Sequence, residues 1–236
     1  MTQNERQREL ASALATVSGR IERASLACGR RPQDVTLVVV TKTFPAADIS
    51  ILSGLGVTDV AENRHQEGAA KVAVCADLPL RWHFVGQLQT NKAASVAAYA
   101  DVVHSVDRSK LAAALDYGAE SAERRVSCLV QVDLEEGPRQ PGRGGVAPVD
   151  VGALADAVAR ADNLDLRGVM AVAPLGRPPE RAFDRLRQVA DDMRHRYDGA
   201  EWISAGMSAD FETAIAFGAT HVRIGSALLG ARPALR

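Results

Sequence analysis

The sequence predicts a single (β/α)8 TIM-type barrel with an extra N-terminal helix. Three observations carry this: eight short apolar runs, helix-forming stretches between them, and a length of 236 residues, which suits one such barrel. Alternating βα units imply a parallel sheet with helices outside. Eight units favour closure over an open sheet. A doubly wound open sheet is the structural alternative.

Residues 3–28 come first. Leu10, Leu14, Val17, Ile21 and Leu26 recur at helical spacing, an opening amphipathic helix. The strand candidates follow as Val35–Lys42, Asp59–Asn63, Trp82–Gly86, Val102–Val106, Ser127–Leu134, Leu166–Ala173, Trp202–Gly206 and His221–Gly225. Pro45–Leu55 and Pro178–Tyr197 read as helices with proline near the first turn, where a missing N–H costs little. No segment reads as an interdomain linker, so residues 1–236 are expected to form one domain, with residues 1–30 packing on the barrel. Gly137–Pro148 (GPRQPGRGGVAP) reads as a surface loop after the fifth strand. Its Gly137–Gly145 part either gates a site or contacts a partner, or its arginines, Arg139 and Arg143, are solvated loop charges.

Composition narrows the function classes. Apolar residues make up 47% and charged residues 24%, the ordinary globular balance. Lys+Arg number 28 and Asp+Glu 29, so no field of one sign favours nucleic acid or an anionic membrane. The longest apolar stretches, such as Leu37-Val38-Val39-Val40, fall far short of a membrane span. The N-terminus, MTQNERQREL, has no apolar signal core, so export is not expected. Cys28, Cys75 and Cys128 lack CxxC spacing and read as free thiols in a reducing cytoplasm. The five histidines show no metal-binding spacing.

Barrel active sites lie at the C-terminal ends of the strands. The first run ends in Val40-Thr41-Lys42. Lys42 shares a face with Val38 and Val40. If that face is inward, desolvation favours the neutral amine that Schiff-base chemistry requires; otherwise Lys42 marks where the strand meets solvent. Runs seven and eight end in Ser204-Ala205-Gly206-Met207-Ser208 and Gly225-Ser226, the places where barrels often bind phosphate. Arg223 alternates with Gly225; facing inward it needs a partner, either a ring nitrogen or an acid of the chain. Asn63 ends the second run and His83 lies within the third; both are candidates to face a ligand.

The segments VVVTKTFPAADI, VAENRHQE, RWHFVGQLQTNK, VVHSVD, LRGVMAVAP and ISAGMSADFETAIAFGATHVRIGSALLGAR resemble the pyridoxal phosphate homeostasis proteins in order and spacing. The resemblance runs from the first strand to the C-terminus. It implies an alanine racemase-like barrel of the fold-type III PLP group, with pyridoxal 5′-phosphate (PLP) held as an internal aldimine on Lys42. It further implies that Ser204, Gly206, Met207, Gly225 and Ser226 cradle the phosphate, that Arg223 lies near the pyridine nitrogen, and that Asn63 and His83 lie beside the cofactor. Ala61 departs from the family pattern, which usually has glycine there.

The resemblance implies storage, buffering or delivery of PLP, with PLP-dependent apo-enzymes as partners; a monomer is expected because the racemase's dimer contact belongs to a second domain that is not expected here. Arginine at the ring nitrogen lends no proton, so the electron sink is muted. The racemase's second domain, with its second acid/base, is not expected here. A minimal racemase or lyase is the alternative, with His83 or a tyrosine as second acid/base; Tyr99, Tyr117 and Tyr197 all fall in helical stretches. A Schiff-base aldolase rests on fold logic alone.

Overall fold

The structure, a computed structural model, describes residues 2–135 and 144–231. Eight parallel strands close into a barrel in chain order, the eighth pairing with the first. They are β1 (Thr36–Val40), β2 (Asp59–Glu62), β3 (Arg81–Phe84), β4 (Val102–Val106), β5 (Val126–Gln131), β6 (Leu164–Met170), β7 (Trp202–Ser204) and β8 (His221–Ile224). The helices are α1 (Gln3–Ala27), α2 (Ala46–Gly54), α3 (His65–Val74), α4 (Ala93–Ala97), α5 (Ser109–Ser121), α6 (Val151–Ala159), α7 (Glu180–Arg194), α8 (Phe211–Ala216) and α9 (Ser226–Leu229). Closure leaves no sheet edge, which removes the doubly wound alternative. Residues 137–143 of the Gly/Pro-rich stretch, with Arg139 and Arg143, lie outside the described residues.

Each expected apolar run forms a strand, and most strands stop short of the expected end. The third run shows why. A Cβ on Gly86 would lie 2.1 Å from the carbonyl oxygen of Asn63. Glycine therefore lets the chain leave the ladder after Phe84 and cross the end of β2.

Strand residues alternate between two environments. Val39, Val60, Val103, Val169 and Val222 face the helices and join one large core. The lumen is divided. One part is an apolar cluster of Val102, Leu129 and Met170. The other is polar: Asp59, His83, His104, Ser204, His221 and Arg223 are all buried.

α1 starts with a capping box between Thr2 and Glu5. It buries Leu10, Val17 and Ile21 and packs on α2, α8 and α9. Arg20 pairs with Glu212 at 2.6 Å and lies over the Phe211 ring. Arg30 donates to the carbonyls of Ile215 and Ala219. The two ends of the described chain are thereby tied together. Among the described residues, no helix is long and apolar enough to cross a membrane.

Candidate functional site

Lys42 is half-buried in the turn that follows β1. That turn is held from several sides. Thr43 has φ 69°, a left-handed conformation that threonine rarely adopts. Its N–H donates to Glu67 Oε1 at 2.5 Å. The Lys71 ammonium donates to Thr41 O at 2.8 Å and to Glu62 Oε1 and Glu67 Oε1 at 2.7 Å each. The Thr41 hydroxyl donates to Glu62 Oε1 at 2.6 Å. Burial raises the Glu62 carboxyl above the usual carboxylate range despite its bonds to Lys71 and Thr41. The cluster fastens the end of β1 to α3 and so fixes where Lys42 starts.

Asn63 follows β2 and is half-buried at the same end of the barrel. Ala61 is fully buried and pairs with Val40 and His83, so its methyl lies on the lumen side of β2 by alternation.

The loops after β7 and β8 touch each other. The Ala227 N–H donates to Ser208 Oγ at 3.3 Å, and the Ser226 and Ser208 hydroxyls are 3.2 Å apart. Gly206 has φ +89°, and a Cβ there would lie 2.7 Å from Phe211 Cα. Glycine is thus required to seat α8 against the strand end. Met207 is exposed, and its N–H donates to Asp210 Oδ1. A Cβ on Gly225 would meet the Val40 carbonyl at 3.2 Å, which places the start of α9 over the end of β1, beside the Lys42 turn. Ser226 is exposed there.

Arg223 is buried and points into the lumen. It donates to Ser204 Oγ at 2.7 Å and to the Ala171 carbonyl at 2.8 Å. Among the described residues it makes no ion pair with a carboxylate. Burial lowers its pKa to about 10, which leaves it cationic at neutral pH. Ser204 Oγ also lies 2.8 Å from His104 Nδ1, His104 Nε2 lies 2.7 Å from His83 Nδ1, and His83 Nε2 lies 3.0 Å from Asp59 Oδ1. Burial lowers the pKa of His83, and that of His104 further, so both rings are neutral. Burial opposes the Asp59 charge, but its bonds from His83 and Thr58 more than offset this and its pKa falls below the usual carboxylate value.

The fold therefore gathers Lys42, Asn63, Gly206, Met207, Gly225 and Ser226 around the C-terminal mouth. Ser204, Arg223 and His83 lie below it, joined through His104. Sequence reasoning missed Lys71, Glu67, His104 and Asp59. The i,i+4 spacing of Glu67 and Lys71 was a signal for the first two. No group of potential metal ligands occurs among the described residues.

A closed parallel barrel with a lysine after its first strand and a buried arginine on its eighth defines a class. The family described as the alanine racemase, N-terminal domain, matches residues 22–233. The pyridoxal phosphate homeostasis protein of Mycobacterium leprae is 39% identical over 97% of this chain and 95% of its own length. That of Pseudomonas aeruginosa is 42% identical over 94% and 96%. The structure of PipY from Synechococcus elongatus PCC7942 with PLP bound has a TM-score of 0.80 and 34% identity, covering 94% of this chain and 100% of that one. The chain belongs to the pyridoxal phosphate homeostasis protein family, within the alanine racemase N-terminal-domain barrels.

Proposed function

We propose that this chain is a pyridoxal 5′-phosphate-binding protein of intracellular cofactor homeostasis, with Lys42 as the covalent anchor. One observation carries the reading. A lysine turn, a pair of touching hydroxyl-bearing loops and, just below them, a buried cation that pairs with no carboxylate among the described residues meet at one end of the barrel. A ligand with an aldehyde, a phosphate and a ring nitrogen fits this set.

PLP, when bound, supplies an electrophilic carbon and a ring that withdraws electrons. Lys42 would bind the electrophilic carbon. Gly206, Met207, Gly225 and Ser226 would hold the phosphate, with Ser204 beneath them. Asn63 would flank the ring, and Arg223 would face the ring nitrogen. His83 supports Arg223 from behind through His104 and Ser204.

A guanidinium donates a hydrogen bond but keeps its proton. Arg223 would thus offer the ring nitrogen a hydrogen bond without giving it a proton, which would keep the electron sink weak. This favours storage, buffering and delivery of PLP to apo-enzymes over amino-acid turnover. A racemase or lyase would need a second proton-transfer group. Both nitrogens of His83 are already engaged, by Asp59 and His104.

The test is the visible absorption spectrum after PLP is added to wild type and to Lys42→Ala. The expected result is a band in the wild type that is lost in the variant. A wild type without a band overturns the reading.

A further inference from the structure

Four hydrogen bonds form an unbroken row across the lumen from Asp59 through His83, His104 and Ser204 to Arg223. Its direction follows from chemistry. A carboxylate only accepts, so His83 Nε2 carries the proton that points at Asp59. In a neutral ring His83 Nδ1 must then accept, and His104 Nε2–H donates to it. His104 Nδ1 accepts in turn from the Ser204 hydroxyl. The Ser204 oxygen accepts from Arg223, which can only donate. The reverse direction is blocked at both ends, because a carboxylate has no proton to give and a guanidinium no lone pair to offer.

Other groups near the row leave its sense intact. Thr58 donates to the second Asp59 oxygen at 2.6 Å, and Arg81 lies 3.5 Å from the first. His221 bonds Thr220 and packs on Trp202, outside the row.

We propose that Asp59 is a positioning residue for Arg223. From the first position of β2 its negative charge sets the donor direction of His83, His104 and Ser204, and so fixes the guanidinium that Arg223 turns toward the cofactor's ring nitrogen. This rests on the PLP reading above. The row needs both charged ends: without Asp59 the histidine protons have no imposed sense, and the serine hydroxyl is free to turn from His104.

The test is 15N NMR of histidine- and arginine-labelled protein without PLP, followed by PLP titration. The wild type is expected to show His83 and His104 both protonated on Nε2 only. Asp59→Asn removes the charge and offers an amide that donates as well as accepts. It is expected to give mixed tautomers at His104, which does not touch residue 59, and a shifted Arg223 guanidinium signal. PLP binding should weaken about tenfold, the scale of one charge-assisted hydrogen bond. Unchanged His104 and Arg223 signals in Asp59→Asn overturn the proposal. If that variant does not fold, the wild type alone decides, since a proton on Nδ1 of either ring overturns it. Absence of a PLP band in the wild type strikes the cofactor reading instead, and the tautomers still report on the row.

Discussion

The Lys71 ammonium lies 2.8 Å from the carbonyl oxygen of Thr41, the residue immediately before Lys42. A lysine on α3 thus secures the backbone from which the anchoring lysine springs. The same ammonium is shared by Glu62 and Glu67, and Glu67 in turn holds the Thr43 N–H. The turn is gripped on both sides of Lys42.

Lys71→Met is expected to destabilise the protein by about 3–5 kcal/mol, because it strands the buried Glu62 without its cation. Urea denaturation measures this. The PLP band should also form more slowly in the folded fraction, since the Lys42 turn loses its support.

Gly206 and Gly218 separate two costs of the same substitution. Both have positive φ, +89° and +93°. A Cβ at Gly206 would meet Phe211 Cα at 2.7 Å, whereas at Gly218 the nearest atom is Ile203 Cδ1 at 3.8 Å. Gly218→Ala should cost about 1 kcal/mol, for backbone conformation alone. Gly206→Ala should cost about 2–4 kcal/mol, with the added steric clash. Equal losses in thermal or urea unfolding would contradict this packing.

Stability should rise with pH across the histidine range. Burial depresses the folded-state pKa of His83, of His104 and of His221, the last to about 3. The unfolded chain binds these protons below about pH 6.5 while the folded one does not, so stability is lost as pH falls from 6.5 toward 3. The depressed Asp59 acts in the same sense at still lower pH, and the raised Glu62 opposes it. Unfolding free energy at pH 7.5 should exceed that at pH 5.5 by about 2–3 kcal/mol. A flat profile would mean that the lumen histidines are not held neutral.

Much of the architecture was legible because each βα unit announces itself locally, through an apolar run and a helical stretch. Lys42, Asn63, Gly225 and Ser226 were legible as candidates by one rule: polar or small residues at strand C-termini line a barrel's mouth. The lumen followed no such rule. His104 sits in an apolar strand and Asp59 opens one, and each reads alone as an ordinary strand residue. Their partners lie 21 to 100 residues away, so only strand closure brings them together. Lys71 was hidden in a helix for the same reason: Thr41 is 30 residues earlier.

The polar row also acts as an alignment key. Eight similar βα units offer a closing barrel many near-equivalent ways to slide strand against strand, and aliphatic fillings tolerate a shift that preserves inward and outward faces. Asp59, His83, His104, Ser204 and Arg223 come from five different strands and fit one another in a single stagger. A slip of two residues at any of those strands would break the row and leave buried polar groups without their hydrogen bonds, about 1–3 kcal/mol worse per orphaned group than the matched state. The row thus rejects misaligned barrels that the valine layer alone would accept.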